Sequence, residues 1–213
     1  PVIVLSDSYL ANSAEPWRIP DVDTLPRHPV RLRTEVEGFM PYLRDPETLA
    51  RPWASPGTPG LEHRIGGLEK QDGRGNVSYL PDNHQRMTDL RAAKVAGIAA
   101  DIPLVEVSGK VDSDVLIVGW GSTWGAITHA MARLKNAGHQ VAHVHLRHLN
   151  PFPANLGEVL GRYSTILVPE LNSGQLSRLL RAEFLVDAHS ISKVAGQPFS
   201  AAELTARISE VLR

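Results

Sequence analysis

The stretch Val115–Pro153, "VLIVGWGSTWGAITHAMARLKNAGHQVAHVHLRHLNPFP", decides the fold. It opens on an apolar run, passes through a glycine-rich turn, and continues with Ile127, Ala130, Met131 and Leu134 at helical spacing before a second strand-like run, "VAHVHLRHL". A strand, a helix and a second strand joined by short connections imply parallel strands and a right-handed crossover. The pattern continues downstream with a helix near 153–162, the strand "TILVPEL", a helix over 173–185, the short strand "AHSISKV" and a closing helix over 200–213. The expectation is an α/β fold, a mostly parallel sheet with helices on both faces, over residues 104–213.

Upstream the pattern weakens. Residues 15–103 are rich in proline and glycine ("RDPETLARPWASPGTPG", "GGLEKQDGRGN") and read as a long irregular linking or wrapping segment. Within it, Met87, Leu90, Val95 and Ile98 make an imperfect stripe that predicts a helix near 82–99, with Pro103 marking the exit. Residues 1–14 read as a buried strand, Val2 to Leu5, and a short helix capped by Asp7 or Ser8. That opening looks like the last strand and helix of a domain lying upstream.

Composition narrows the chemistry. The 213 residues are 42% apolar and carry a net charge of -1, so no basic field draws in nucleic acid or an anionic membrane. No apolar run approaches the roughly 18 residues of a membrane span. There is no cysteine, so this chain supplies neither a disulfide nor a thiolate for catalysis or an iron–sulfur cluster, which fits a cytoplasmic setting.

Four places carry candidate chemistry. The turn at Gly121, Ser122 and Thr123 follows a strand and opens a helix, where backbone N–H groups hold phosphates, yet its third glycine, Gly125, comes one residue late for a dinucleotide fingerprint. It is read either as a phosphate-facing turn or as a helix start capped by Ser122 or Thr123. His143, His145 and Arg147 share one face of their strand, a pattern suited to a metal site or to a polar sheet-end or interface role. "VPELNSGQL" sets Glu170, Asn172 and Gln175 at a strand end running into a helix, as ligand contacts, as a subunit contact, or with Asn172 or Ser173 capping the helix. In the loop "GLEHRIGGLEK", Glu62, His63, Arg64, Glu69 and Lys70 stand among glycines, where His63 can move protons and Arg64 can clamp an oxyanion. No Gly-x-Ser-x-Gly elbow supports a serine hydrolase.

Taken in order, "GLEHRIGGLEK…NHQRM", "VGWGSTWGAITHAMARLKNAGHQVAHVHLRHLNPFP" and "VPELNSGQL" resemble the C-terminal portion of the α subunit of 2-oxoacid:ferredoxin oxidoreductases of the 2-oxoglutarate type. The resemblance implies an enzyme that converts 2-oxoglutarate and CoA to succinyl-CoA and CO2 while reducing ferredoxin. It implies thiamine diphosphate, Mg2+ and an iron–sulfur cluster, held mainly by a partner β subunit and by the upstream part of the chain. It further implies a second α/β pair, a transketolase C-terminal-like domain over 104–213, and a pyrimidine-side thiamine domain ending within 1–14. The substrate or CoA contacts expected here are His63, Arg64, Gly121, Ser122, Thr123, Asn172 and Gln175, with no metal ligand; the catalytic residues are not identified. Where many relatives carry an acidic "LEHDE", this chain has His63-Arg64-Ile65, so no acid role carries over. The alternatives are an autonomous phosphate- or nucleotide-binding module, a scaffold domain, and an oxidoreductase for pyruvate or branched-chain 2-oxoacids.

Overall fold

A computed structural model describes residues 2–14 and 16–212. They divide into two compact units, one from within 1–16 and 102–213, the other spanning 17–101. Near the start, α1 (Ser8–Asn12) is capped by Asp7, whose carboxylate accepts the Leu10 N–H at 3.0 Å. Val2–Leu5 forms no strand and is 62% to 91% exposed, so the expected buried strand is not there. An apolar run becomes a strand only beside another strand that takes its hydrogen bonds, and among the described residues Val2–Leu5 have no such neighbour.

The unit 17–101 has little regular structure. Strands β1 (Leu32–Arg33) and β2 (Trp53–Ala54) pair in parallel over two residues each, and the one long element is α2 (Pro81–Gly97). Proline at its first position suits α2, because the N–H it lacks has no helical partner there. Of the expected stripe only Met87 is buried; Leu90 and Val95 are partly covered and Ile98 is exposed. The segment between β2 and α2 is held by polar contacts instead, with Asn83 accepting the Asp72 N–H at 3.0 Å and donating to the Lys70 carbonyl at 3.0 Å.

The other unit is built on a five-stranded sheet of β3 (Ser108–Gly109), β4 (Val115–Trp120), β5 (Ala142–Leu146), β6 (Thr165–Glu170) and β7 (Ala188–Ser192). Its order is β3-β5-β4-β6-β7, with β3 antiparallel to β5 and all other pairs parallel. Between the strands run α3 (Trp124–Asn136), α4 (Leu156–Leu160) and α5 (Gln175–Phe184), and α6 (Ala201–Val211) closes the unit. Arg213, the end of the expected closing helix, lies outside the described residues.

Period-two alternation divides the core. Leu116, Val118, Val144 and Val168 face α4 and α5, meeting Leu156, Leu160, Leu176 and Leu180. Ile117 and Leu167 face α3 and α6, meeting Ile127, Leu134, Leu204 and Ile208. Each of these side chains contributes on the order of 1.5–3 kcal/mol by leaving water. The result is a mixed α/β fold with helices on both faces; the short antiparallel β3 is an addition to the expected parallel pattern.

Candidate functional site

At the end of β4, Gly121 turns the chain with φ +58° into a single 3-10 turn, Gly121–Thr123, ahead of α3. Thr123 closes this turn: its Oγ1 accepts the Trp120 N–H at 3.1 Å and donates to the Trp120 carbonyl at 2.7 Å. The Ser122 hydroxyl donates to the Asp7 carboxylate. A carboxylate of the chain's own thus stands where a phosphate would approach the helix start.

The end of β6 repeats the arrangement. Glu170 is fully buried, and its two carboxylate oxygens accept the N–H groups of Leu176 at 2.7 Å and Ser177 at 3.0 Å. Asn172 accepts the Gly174 and Gln175 N–H groups at 2.8 and 3.1 Å through its side-chain oxygen. Asn172 is therefore a cap of α5, while the Gln175 side chain is exposed. Glu170, grouped in the sequence with ligand contacts or a cap, supplies the anion that the α5 N-terminus favours.

His143 and His145 lie on β5 opposite Ile117 and Gly119 of β4. His143 is 2% exposed, and its Nε2, like the Nδ1 of His145, is buried with no hydrogen-bond partner. The rings meet edge to face at 5.8 Å. Gly119 makes the room, since a Cβ there would stand 2.9 Å from His145 Nδ1 and 3.2 Å from His143 Nε2. Burial first, and His145 second, push the His143 pKa down to about 4. That of His145 is also lowered, by burial and then by Arg147, against a backbone hydrogen bond with Gly121 that raises it. Burial thus favours the neutral form of both imidazoles. Among the described residues no group of three or more His, Cys, Asp or Glu side chains is gathered for a metal.

In the unit 17–101, internal hydrogen bonds order the loop 61–70, of which residues 62 and 64–68 are exposed. Lys70 is 3% exposed, and its ammonium donates to the carbonyls of Gly66, at 2.8 Å, and Leu68. His63 is half-buried, its Nδ1 2.7 Å from the Leu61 carbonyl and its ring edge-on to Phe39 at 5.4 Å. Arg64 is exposed, free to meet an oxyanion. Glu69 bonds His84 at 2.5 Å and Arg91 at 3.0 Å, contacts that in that order hold its carboxyl below the usual range. Asp72 takes the Arg86 guanidinium. Asn83, His84 and Arg86 of "NHQRM" thus reach back to Lys70, Glu69 and Asp72 of the glycine-rich loop, so the two sequence segments form one structure.

A family model, pyruvate:ferredoxin oxidoreductase core domain II, matches residues 113–204. The chain is 54% identical over 205 residues, 96% of its length, to the 2-oxoglutarate oxidoreductase subunit KorA of Mycobacterium tuberculosis, covering 31% of that protein. The chain belongs to the 2-oxoacid:ferredoxin oxidoreductase α-subunit family. The 2-oxoacid:ferredoxin oxidoreductase subunit alpha of Saccharolobus solfataricus is 31% identical, over all of this chain and 35% of its own. A solved structure, 2-oxoglutarate:ferredoxin oxidoreductase from Magnetococcus marinus with 2-oxoglutarate, coenzyme A and succinyl-CoA bound, superposes with a TM-score of 0.82. It is 28% identical, and the match covers 91% of this chain and 34% of that one. The chain spans about a third of the length of the curated relatives it matches. As an oxidoreductase α-subunit segment, it places the expected contacts in two groups: Gly121, Ser122, Thr123, Asn172 and Gln175 at the strand ends of the sheet, His63 and Arg64 in the loop of the other unit.

Proposed function

We propose that this chain is part of the α subunit of a 2-oxoglutarate:ferredoxin oxidoreductase, which converts 2-oxoglutarate, CoA and oxidised ferredoxin to succinyl-CoA, CO2 and reduced ferredoxin. The observation that carries this reading is the 54% identity to the Mycobacterium tuberculosis subunit along 96% of the chain. The working assembly in this reading joins a β subunit and a second α/β pair, passes electrons to ferredoxin, and resides in the cytoplasm. No helix of the described residues is long and apolar enough to cross a membrane.

The same reading makes 104–213 a transketolase C-terminal-like domain, 15–103 a wrapping segment, and 1–14 the end of a pyrimidine-side thiamine domain. Thiamine diphosphate supplies the electron sink on which a 2-oxo acid loses CO2. These residues do not fit the cofactors: the chain has no cysteine for an iron–sulfur cluster and no carboxylate cluster for Mg2+ among the described residues. Their ligands belong in this reading to the β subunit and to the upstream part of the α subunit. The role left to this chain is subunit association together with contacts to substrate or CoA.

Among those contacts Arg64 ranks first, because it is exposed and carries a fork suited to a carboxylate or phosphate. His63 orients the same loop. Gly121, Ser122 and Thr123 are proposed to face CoA with neutral atoms, since Asp7 already places a negative charge at that turn. Asn172 and Gln175 act there through the Asn172 amide nitrogen and the exposed Gln175 side chain.

The matching family model is named for pyruvate, and that observation favours a second reading, an oxidoreductase for pyruvate or a branched-chain 2-oxoacid. The α/β complex containing this chain is assayed for CoA-dependent viologen reduction with each 2-oxoacid. Higher kcat/KM on 2-oxoglutarate supports the first reading, and higher kcat/KM on pyruvate replaces it. In the same complex Arg64→Ala raises KM for 2-oxoglutarate or CoA, and unchanged values for both remove Arg64 from the site.

A further inference from the structure

The segment "YLRDPETLARPW", residues 42–53, folds into a feature that the proposed reaction does not use. Asp45 and Ala50 close a small loop: the Asp45 N–H donates to the Ala50 carbonyl at 2.8 Å and the Leu49 N–H to the Asp45 carbonyl at 2.9 Å. The Asp45 carboxylate takes the N–H groups of Glu47 and Thr48 at 3.1 and 2.7 Å. Within this loop Leu49 is held at φ +54°, a left-handed conformation costly for a residue with a Cβ. Its carbonyl accepts Arg44 Nη1 at 2.9 Å.

That contact fixes the Arg44 guanidinium with one nitrogen engaged. Its Nε is buried with no hydrogen-bond partner, an orphan donor of the kind that marks an absent water or ion. Beside it, Arg51 lies over the Tyr42 ring, with Cζ 4.1 Å from the ring centroid. Burial first and Arg51 second disfavour the Arg44 charge; Asp72 favours it, and Arg91 opposes it less strongly. Neither Arg44 nor Arg51 has a carboxylate partner among the described residues. Glu69 and Asp72 are bonded to Arg91 and Arg86, and the Asp45 carboxylate is taken by N–H groups of its own loop.

Clustered guanidiniums repel, and the fold holds them together around an unpaired buried donor. Arg44 and Arg51 are thus two guanidiniums with no carboxylate bonded to them among the described residues, whereas Arg86 and Arg91 each have one. A planar fork offers two parallel N–H groups along its Nε edge, the geometry that grips a phosphate or carboxylate oxygen pair. Two guanidiniums without a bonded carboxylate select the doubly charged oxyanion. We propose that Arg44, Arg51 and Arg91, set by Tyr42 and the Leu49 turn, form a binding site for the dianion of a phosphate monoester or for free phosphate.

The inference is independent of the reaction assigned above and is tested on the α/β complex containing this chain. Calorimetric titration at pH 7.5 and constant ionic strength compares methyl phosphate, inorganic phosphate and dimethyl phosphate, the last carrying a single charge. Methyl phosphate is expected to bind at least tenfold tighter than dimethyl phosphate. Inorganic phosphate binding equally well assigns the free ion as a sufficient ligand, and a preference for methyl phosphate assigns an organic ester; both support the site. Arg51→Gln is expected to weaken binding at least tenfold while leaving the circular dichroism spectrum unchanged, and Arg44→Gln to do the same where it folds. Arg133→Gln, on α3 of the other unit, leaves affinity unchanged. Methyl phosphate binding no tighter than dimethyl phosphate, or Arg51→Gln binding like the parent complex, overturns the proposal.

Discussion

Glu170 accepts the backbone N–H of Leu176 at 2.7 Å, so the residue that ends β6 also begins α5. A second bond, to Ser177 at 3.0 Å, uses its other oxygen. Glu170→Ala removes a charged acceptor from a dry site and leaves two helix N–H groups unsatisfied. The expected loss is on the order of 2–4 kcal/mol, because a buried donor without a partner costs its full desolvation. Urea denaturation measures it, and a loss below about 0.5 kcal/mol, within the range of ordinary surface substitutions, rejects the capping role.

Gly119 is needed for lack of a side chain and not for backbone freedom. A Cβ there would stand 2.5 Å from Ile127 Cδ1 as well as close to both histidine rings. Gly119→Ala therefore forces α3 or the rings to move, at a cost of roughly 1–3 kcal/mol. A thermal melt of the variant that coincides with the parent shows the space to be open after all.

The histidine pair makes stability fall in mild acid. His143 titrates near 6.5 in an unfolded chain and near 4 in the folded one, so between those values the unfolded state holds more protons. Stability is complete above pH 6.5 and declines toward pH 4, by at most roughly 1.4 kcal/mol per pH unit from this residue. His145 adds to the decline with the same sign. His143→Gln is expected to flatten the slope of unfolding free energy against pH between 4 and 6.5; an unaltered slope assigns the acid sensitivity elsewhere.

Leu185 ends α5 at φ +55° while 90% exposed, so it has neither conformational ease nor burial to hold it there. Its N–H still closes the helix on the Arg181 carbonyl at 3.1 Å. Leu185→Gly keeps that bond and relieves the left-handed strain, with an expected gain of about 0.5–1 kcal/mol. A lower melting temperature for the variant contradicts this.

Lys70 organises the loop carrying Arg64. Lys70→Met removes the donor shared by the Gly66 and Leu68 carbonyls, and trypsin is expected to cut after Arg64 several times faster in the variant. Equal rates mean that the loop is held without it.

Legibility in the sequence followed the source of each structure's stability. The elements from Val115 onward were readable because alternation and helical spacing record burial directly: of Ile127, Ala130, Met131 and Leu134, read at helical spacing, three are fully buried and Met131 is partly so. Boundaries shortened, as with the expected helix over 173–185 and α5 at Gln175–Phe184, because caps and not core residues end a helix. Strand β3 escaped notice, since two residues carry no period. Glu170 was noticed, but its spacing to Leu176 and Ser177 shows itself as a cap only once the strand and helix are placed side by side. Arg44 and Arg51 had one usable signal, two arginines close to Tyr42 in a turn-rich stretch. Their meeting depends on Leu49 turning left-handed, which a leucine code does not announce.

The antiparallel step at Ser108–Gly109 leaves the sheet with two unlike borders. On that side Gly109 turns away at φ +83°, and a Cβ there would stand 2.5 Å from the Val141 carbonyl, so the border is two residues long and sharply bent. On the other side β7 offers five residues. Backbone pairing therefore has its longest continuous border along β7, while on the other side β3 covers only Ala142 and His143 of β5.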